Sequence, residues 1–218
     1  MSRSTRLTMI CRGRTASTRA AGFSSDEPLV EGETIKAAAI ASRLRRYDRL
    51  LCAPERSARE TAAVIGDNAT IVPALSDLDC GRWHGLTLTD VATAEPAALE
   101  AWIGDPHAAP HGGESLAELA DRLTGWLRDN LNAGGHTVAV THPLAVRSAI
   151  VSVLDAPTIS VWKIDVPLLG ITEFSSDGRR WVVRSMGMDK RGKRDMSKNG
   201  LPLTPQDKTG LEDNLSSN

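Results

Sequence analysis

Short apolar segments alternate with amphipathic helical segments along most of this chain. The clearest apolar segment covers residues 137–140 and is followed by His142 and a helical pattern. Residues 7–11 and 49–52 have the same apolar character, and turn-forming residues follow each of them. Strands that alternate with helices form a mostly parallel sheet covered by helices on both faces. The pattern therefore predicts an α/β fold with three layers, α/β/α, around a mostly parallel central sheet.

The remaining elements follow from the same reading. Further strands are predicted at residues 69–72, 169–174 and 180–185, and helices at 33–46, 57–65, 97–103 and 115–131. Residues 75–86 have the character of a loop. From residue 188 onward, charged residues, Gly and Pro replace the apolar periodicity. We expect one domain over residues 1–187 and a disordered polar tail over 188–218.

Composition narrows the possible partners. The chain has 218 residues, 41% of them hydrophobic, and a formal net charge of −1, which suits one sizeable core. A net charge near zero argues against binding to nucleic acid or to a membrane surface. No apolar run reaches the about 18 residues that a membrane-spanning helix needs. A monomer and a homodimer are both compatible with these properties.

The cysteines point to a reducing compartment. Cys11, Cys52 and Cys80 are an odd number, and they lack the spacing of zinc ligands. A cytoplasmic location fits best, and we expect no metal and no cofactor. Cys11 is a possible nucleophile, but its apolar strand predicts a buried side chain, so a core role is favoured.

Several short motifs fall at the ends of predicted strands or the starts of predicted helices, where open α/β sheets bind ligands. These motifs are Cys11-Arg12-Gly13-Arg14-Thr15, Ala53-Pro54-Glu55-Arg56 with Thr61-Ala62, Leu75-Ser76-Asp77-Leu78-Asp79-Cys80-Gly81-Arg82-Trp83-His84-Gly85, Gly113-Glu114-Ser115 and Thr141-His142. Together, in this order, they resemble the histidine phosphatase (phosphoglycerate mutase-like) superfamily over roughly residues 5–186. The resemblance implies a phosphoglycerate mutase-like fold and a hydrolase-like site.

The first motif departs from the family pattern. The family has Arg-His-Gly, whereas this chain has Cys11-Arg12-Gly13. Either Arg12 replaces the histidine, or Arg12 is the family arginine and the histidine is deleted. A guanidinium group stays protonated and has no lone pair with which to attack phosphorus. Arg12 can bind an anion, but ordinary phosphohistidine chemistry is not expected.

The resemblance assigns roles to further residues. It implies that Arg56 is a second phosphate-binding arginine and that His142 neutralises a transferring phosphoryl group. His142 is also the best candidate for acid/base chemistry near neutral pH. Asp77 stands where the family commonly has a glutamate proton donor, although its side chain is one methylene shorter. His142 and Asp77 are thus the candidate catalytic residues.

Other candidates have simpler explanations. Glu114 and Ser115 border the pocket in the family, but helix capping explains them equally well. Arg14 is either a substrate contact or a solvated side chain. We expect the remaining loop histidines to lie at the surface; they are His84, His107 and His111.

Three functions remain open at this point. The first is a degenerate protein that binds a phosphorylated or otherwise anionic small molecule and is repurposed for acid/base chemistry without a phosphohistidine. The second is a catalytically inactive pseudophosphatase that serves as a ligand-binding module. The third is a residual phosphomonoester hydrolase in which water attacks directly. The first is slightly favoured, because an inert binder would not need the side chains of Asp77 and His142.

Overall fold

The computed structural model describes residues 4–188, within which a single sheet of six strands forms the centre. The strands are β1 (Thr5–Cys11), β2 (Arg49–Cys52), β3 (Thr70–Ile71), β4 (Gly135–Thr141), β5 (Ile171–Ser176) and β6 (Trp181–Met188). Their order across the sheet is β3-β2-β4-β1-β5-β6. The pairs among β1 to β4 are parallel, whereas β5 runs antiparallel to both β1 and β6. The predicted α/β fold with a mostly parallel sheet is confirmed.

All helices of the described residues lie in the connections between β1 and β5. They are α1 (Ala16–Arg19), α2 (Glu33–Ala41), α3 (Arg56–Ile65), α4 (Leu88–Ala94), α5 (Pro96–Gly104), α6 (Leu116–Asp129) and α7 (Pro143–Val153). Short 3₁₀ turns cover Pro73–Leu75, Gly81–Trp83 and Thr158–Lys163. Helix α2 packs against α3, and α6 packs against α7.

Two helices differ from the sequence-based expectation. Helix α2 ends at Ala41, five residues before the predicted end at Arg46. Helix α4 was not predicted, and a reciprocal capping box between Thr87 and Asp90 begins it. Both differences concern helix ends or short helices, for which local capping outweighs the apolar pattern.

The register of the two central strands brings the ends of β1 and β4 together. Cys11 pairs with Thr141, and the backbone N–H of Arg12 donates to the carbonyl of Thr141 at 2.7 Å. Arg12 and His142 are therefore neighbours at the carboxyl edge of the sheet. Pro143 occupies the first turn of α7, where its missing N–H has no cost.

One continuous core fills the space between the layers. Its largest fully buried side chains include Trp83, Phe174, Leu7, Met9, Leu75, Leu116, Leu119, Leu123 and Ile150. Burial of each such side chain stabilises the fold by about 1.5–3 kcal/mol. This packed core keeps the strands, and therefore their carboxyl ends, in a fixed position.

Two further expectations concern membranes and the tail. Among the described residues, no helix combines the length and the apolar character that crossing a bilayer requires. The polar tail expected over residues 188–218 lies outside the described residues, apart from Met188, which ends β6.

Candidate functional site

The candidate site lies at the carboxyl edge of the sheet, where three connections meet. Arg12 follows β1, Glu55 precedes α3, and His142 precedes α7. Asp77 comes from the segment after the first 3₁₀ turn. Strand geometry places the first three residues, and the loop brings Asp77 to them.

Arg12 is held in a fixed position. Arg12 is only 3% exposed. Its Nη1 donates to the carbonyl of Gly13 at 3.0 Å and to Oγ1 of Thr18 at 2.8 Å. Its Nη2 donates to Oγ of Ser24 at 2.9 Å. The hydroxyl of Thr61 in α3 accepts from the N–H of Gly13 at 3.0 Å. These neutral partners orient the guanidinium group without cancelling its charge.

His142 lies between two carboxylates. Its Nε2 is 2.8 Å from Oε2 of Glu55, and its Nδ1 is 3.1 Å from Oδ2 of Asp77. The side chain of His142 is 1% exposed, whereas those of Glu55 and Asp77 are about one fifth exposed, at 22% and 23%. The N–H of Asp77 also donates to Oε1 of Glu55 at 3.1 Å. We call Glu55, Asp77 and His142 the carboxylate–histidine cluster.

The cluster fixes the protonation of all its members. Burial alone would lower the pKa of His142, but the carboxylates of Asp77 and Glu55 outweigh it and raise this pKa to about 9. Burial alone would raise the pKa of Asp77, but His142, Arg12 and the backbone of Leu78 lower it to about 2. The pKa of Glu55 is likewise lowered by His142 against the effect of burial. At neutral pH the cluster contains an imidazolium and two carboxylates.

A cavity of about 350 Å³ opens beside this cluster. Its charged lining residues are Arg12, Asp77 and Arg147. Its aromatic lining residues are Phe23, Trp102 and Trp162. Arg147 lies in α7, and its Nη2 is 3.9 Å from Oδ1 of Asp165. A cavity with apolar walls and a few charged groups has the character of a small-molecule site.

The structure does not bring Arg56 or Arg14 into this cavity. The side chain of Arg56 is 55% exposed, and its Nε pairs with Glu60 at 2.7 Å along α3. Arg14 is exposed, and its backbone is engaged on both sides: its N–H donates to a carboxylate oxygen of Glu33 at 2.9 Å, and its carbonyl accepts from the N–H of Val30 at 2.9 Å. The superfamily that the sequence motifs resemble has the pattern Ser-Pro-x-x-Arg at this place, with the arginine three residues after the proline. In this chain that position is Ser57 rather than Arg56. Ser57 is 2% exposed.

Glu114 and Ser115 do not line the cavity. Ser115 caps α6 in a reciprocal capping box with Glu118. Glu114 accepts two hydrogen bonds from Arg122, at 2.9 and 2.7 Å. Arg122 also donates to the carbonyls of Ala74 at 2.9 Å and Asp77 at 3.3 Å. These residues support the segment that carries Asp77.

The expectation for the loop histidines is wrong for His111. That residue is 2% exposed and packs edge-on against Trp83, with ring centroids 4.9 Å apart. His84 and His107 are exposed, as expected. Within residues 4–188, no three His, Cys, Asp or Glu side chains group closely enough to hold a metal ion.

Two residues of the site were not identified from the sequence, namely Glu55 and Arg147. Glu55 was named only as part of the motif Ala53-Pro54-Glu55-Arg56 and was given no role, although it directly precedes α3 at the sheet's carboxyl edge. Arg147 lies one turn inside α7, away from any strand or helix end, so its position in the sequence gives no indication that it lines a site. The thiol of Cys11 is fully buried, and burial raises its pKa to about 12, which suits the core role.

Comparison with known proteins extends these observations. A model of the histidine phosphatase superfamily (branch 1) matches residues 7–189. A glucosyl-3-phosphoglycerate phosphatase of Mycolicibacterium vanbaalenii is 41% identical over 71 residues, which are 31% of this chain and 32% of that protein. Phosphoserine phosphatase 1 of Hydrogenobacter thermophilus is 24% identical over 115 residues, 51% of this chain and 54% of that protein. The chain thus spans between a third and about half of these curated relatives.

Solved structures share the fold. A mutant phosphoserine phosphatase of Entamoeba histolytica in complex with phosphoserine superposes with a TM-score of 0.77 at 20% identity, covering 86% of this chain and 98% of that chain. A mycobacterial glucosyl-3-phosphoglycerate phosphatase in complex with VO3 gives a TM-score of 0.75 at 24% identity, covering 84% and 98%. At these identities the likeness concerns the fold.

Proposed function

The chain belongs to the histidine phosphatase superfamily, and we propose that it is a degenerate member that binds an anionic small molecule without forming a phosphohistidine. The proposal depends on one observation. The side chain beside His142 at the end of β1 is the guanidinium of Arg12, which hydrogen bonds anchor at 2.8–3.0 Å. Within the described residues, no histidine lines the adjoining cavity.

His142 is a poor substitute for the missing nucleophile. Attack on phosphorus requires a neutral ring nitrogen with a free lone pair. Both ring nitrogens of His142 face carboxylates, at 2.8 and 3.1 Å, and those carboxylates raise its pKa to about 9 after the opposing effect of burial. At neutral pH the ring is therefore an imidazolium, which cannot serve as the nucleophile of covalent catalysis.

The protonation of Asp77 favours binding over acid/base chemistry. A general acid must carry a proton at the working pH. Burial alone would raise the pKa of Asp77, but mainly His142, with Arg12, lowers it to about 2, so the carboxyl group is ionised. The pseudophosphatase hypothesis, in which the site is a ligand-binding module, gains support from this. Repurposed acid/base chemistry and direct attack by water become outcomes that the experiment must test.

The test combines binding and turnover. Isothermal titration calorimetry with phenyl sulfate and phenyl phosphate measures binding, and release of p-nitrophenol from p-nitrophenyl phosphate measures hydrolysis. Arg12→Met is the test variant, and Arg56→Met is its matched control because Arg56 is 55% exposed and outside the cavity. We expect binding without turnover in the wild type, a loss of affinity of at least about tenfold in Arg12→Met, equivalent to about 1.4 kcal/mol, and no change in Arg56→Met.

Two results would overturn the proposal. Absence of binding for both probes would exclude an anion site of this kind. Release of p-nitrophenol that disappears in Asp77→Asn would instead identify a hydrolase, with direct attack of water as the leading mechanism. Thermal unfolding of each variant separates these outcomes from loss of the fold.

A further inference from the structure

We infer that the carboxylate of Glu55 occupies the place next to His142 that an anionic ligand would otherwise take. The cavity therefore accepts a singly charged organic anion with an aromatic or apolar body in preference to a dianionic phosphate monoester. The inference rests on the proposed anion-binding function and deepens it, because it specifies the charge and the shape of the ligand. It comes from the arrangement of the carboxylate–histidine cluster and from the lining of the cavity.

The first step concerns the hydrogen-bonding capacity of His142. An imidazolium has two N–H donors. One faces Oε2 of Glu55 at 2.8 Å and the other faces Oδ2 of Asp77 at 3.1 Å. With its side chain 1% exposed and both ring nitrogens turned to carboxylates, His142 offers no exposed donor to a ligand, although only the contact of Nε2 with Glu55 has the geometry of a hydrogen bond. An incoming anion must either displace a carboxylate or bind elsewhere in the cavity.

Displacement of Glu55 is unfavourable because both of its carboxylate oxygens are engaged. Oε2 accepts from His142, and Oε1 accepts from the backbone N–H of Asp77 at 3.1 Å. Glu55 also directly precedes the first turn of α3, which limits the movement of its backbone. Charge-assisted hydrogen bonds of this kind are roughly twice as strong as neutral ones. Glu55 therefore acts as an anion that the protein supplies to its own site.

The second step concerns the charge that remains for a ligand. The cavity is lined by two guanidinium groups, of Arg12 and Arg147, and by one carboxylate, of Asp77. His142 and Glu55 form a balanced pair behind them. Asp165, which is near Arg147, is 64% exposed, so water screens its charge. One net positive charge faces the cavity, which matches a single negative charge on a ligand.

A second negative charge would have no partner. It would lie near the carboxylate of Asp77, which lines the cavity, while Glu55 already neutralises His142 behind it, and like charges repel in a partly desolvated site. A dianion must therefore bind more weakly than a monoanion of the same shape. A sulfate ester, a carboxylate and a phosphodiester all satisfy the charge requirement.

The third step concerns the body of the ligand. Phe23, Trp102 and Trp162 line the cavity, and the rings of Trp102 and Trp162 are 4.9 Å apart in an edge-to-face arrangement. Leu144 and Leu168 extend this apolar wall. The volume of about 350 Å³ is at the small end of ligand pockets. These walls favour an aromatic or apolar group of about the size of one or two rings.

Phenyl sulfate and phenyl phosphate provide a matched pair of probes. They have the same shape, but near pH 8 phenyl phosphate carries a second charge, because the second pKa of such esters is about 6. Calorimetry on the wild type should show phenyl sulfate binding at least about tenfold more tightly. Glu55→Gln keeps the shape of the side chain and an acceptor for His142 while removing the charge. This variant should shift the affinity ratio toward phenyl phosphate by at least about tenfold.

The controls separate this inference from the proposed function. Glu60→Gln removes a neighbouring charge on α3 that pairs with the exposed Arg56, and it should leave the ratio unchanged. Failure of both probes to bind the wild type would overturn the proposed function itself. Binding of both probes with equal affinity, or an unchanged ratio in Glu55→Gln, would overturn only the role of Glu55.

A measurement on the wild type makes the test independent of any variant's folding. At about pH 5 phenyl phosphate is a monoanion, whereas the cluster keeps its charges because the pKa values of its carboxylates are lowered and that of His142 is raised. The two probes should then bind with similar affinity. A preference for phenyl sulfate that persists at this pH would contradict the charge argument.

Discussion

His142 makes the stability of the protein depend on pH. Burial lowers its pKa, but Asp77 and Glu55 raise it to about 9, above the reference value of 6.5. A group whose pKa is raised on folding contributes stability that is fully present below its unfolded pKa and is lost as the pH rises through the folded pKa. The contribution of His142 is therefore complete below about pH 6.5 and declines up to about pH 9. The pKa of Asp77 is lowered on folding, so its contribution to stability is lost in acid, as the pH falls from 3.8 toward about 2.

Urea denaturation at several pH values tests this dependence. A rise of this size in pKa corresponds to about 3 kcal/mol at most, and we expect the free energy of unfolding to fall by part of this amount between about pH 6 and pH 9. His142→Gln should remove most of the fall. His107→Gln, which changes an exposed histidine, is the control and should retain it. An equal slope in His142→Gln and the wild type would contradict the assignment.

At the residue scale, sequence reasoning proposed several residues that the structure brings together at one edge of the sheet. Arg12 and His142 end or follow buried strands, and parallel strands bring such ends to one edge. Asp77 was placed by motif resemblance. Glu55 was not identified, because its pairing with His142 joins residues that are 87 positions apart and depends on a side-chain direction that no local pattern encodes. Arg56 was selected because the resemblance assigned it the role of a second phosphate-binding arginine, although its position on α3 turns it toward the solvent.

At the scale of elements, α6 supports the segment that carries Asp77. Arg122 projects from this helix, binds both oxygens of Glu114, and donates to the carbonyls of Ala74 and Asp77. Its side chain is 24% exposed and that of Glu114 is 18% exposed. Hydrogen bonds that involve a charged group contribute about 1.5–3 kcal/mol when buried, and partial exposure reduces this value. The helix therefore holds the loop through one arginine.

Replacement of that arginine should be costly. Arg122→Met keeps the length and apolar stem of the side chain but leaves the carboxylate of Glu114 and the loop carbonyls without a partner. We expect the free energy of unfolding to fall by about 2 kcal/mol and ligand affinity to fall with it, because Asp77 loses its support. Arg128→Met is the matched control on the same helix, since Arg128 is 79% exposed, and it should be within about 0.5 kcal/mol of the wild type. Equal effects in both variants would contradict the supporting role of α6.

The types of element were more predictable than their limits. The residues 49–52 were predicted as a strand and form β2 as Arg49–Cys52, because a short apolar run before Pro54 has few alternatives. The end of α2 was overestimated, because the apolar stripe on which the prediction depended continues to Leu44, whereas the helix ends at Ala41. Helix α4 depends on the capping of Thr87 by Asp90, which the apolar pattern does not reveal.

At the scale of the whole molecule, the cavity is built from segments that are distant in sequence. Phe23 comes from the connection after α1, Trp102 from α5, and Trp162 from a 3₁₀ turn after α7. The sequence predicted that a ligand would bind at the carboxyl edge of the sheet, because parallel strands end at the same edge. It could not predict the walls, because these depend on how three connections pack against one another over the core.

Phe23 joins these walls to the core, and its replacement should affect stability and binding together. Its ring centroid is 5.2 Å from that of Trp83 and 5.6 Å from that of Trp102, and the residue is 8% exposed. Phe23→Ala should lower the free energy of unfolding by about 3 kcal/mol or more, the usual cost of removing a buried ring.

The same replacement widens the cavity on the side of the aromatic wall, so the affinity for phenyl sulfate should also fall. Ile35→Ala is the control for loss of an apolar side chain, because Ile35 is 75% exposed, and it should change the free energy of unfolding by less than about 0.5 kcal/mol. Urea denaturation and calorimetry on the two variants provide both measurements. If Phe23→Ala destabilised the fold but bound phenyl sulfate as tightly as the wild type, the aromatic wall would belong to the core alone, and the ligand would have to be recognised by the charges of Arg12 and Arg147 without it.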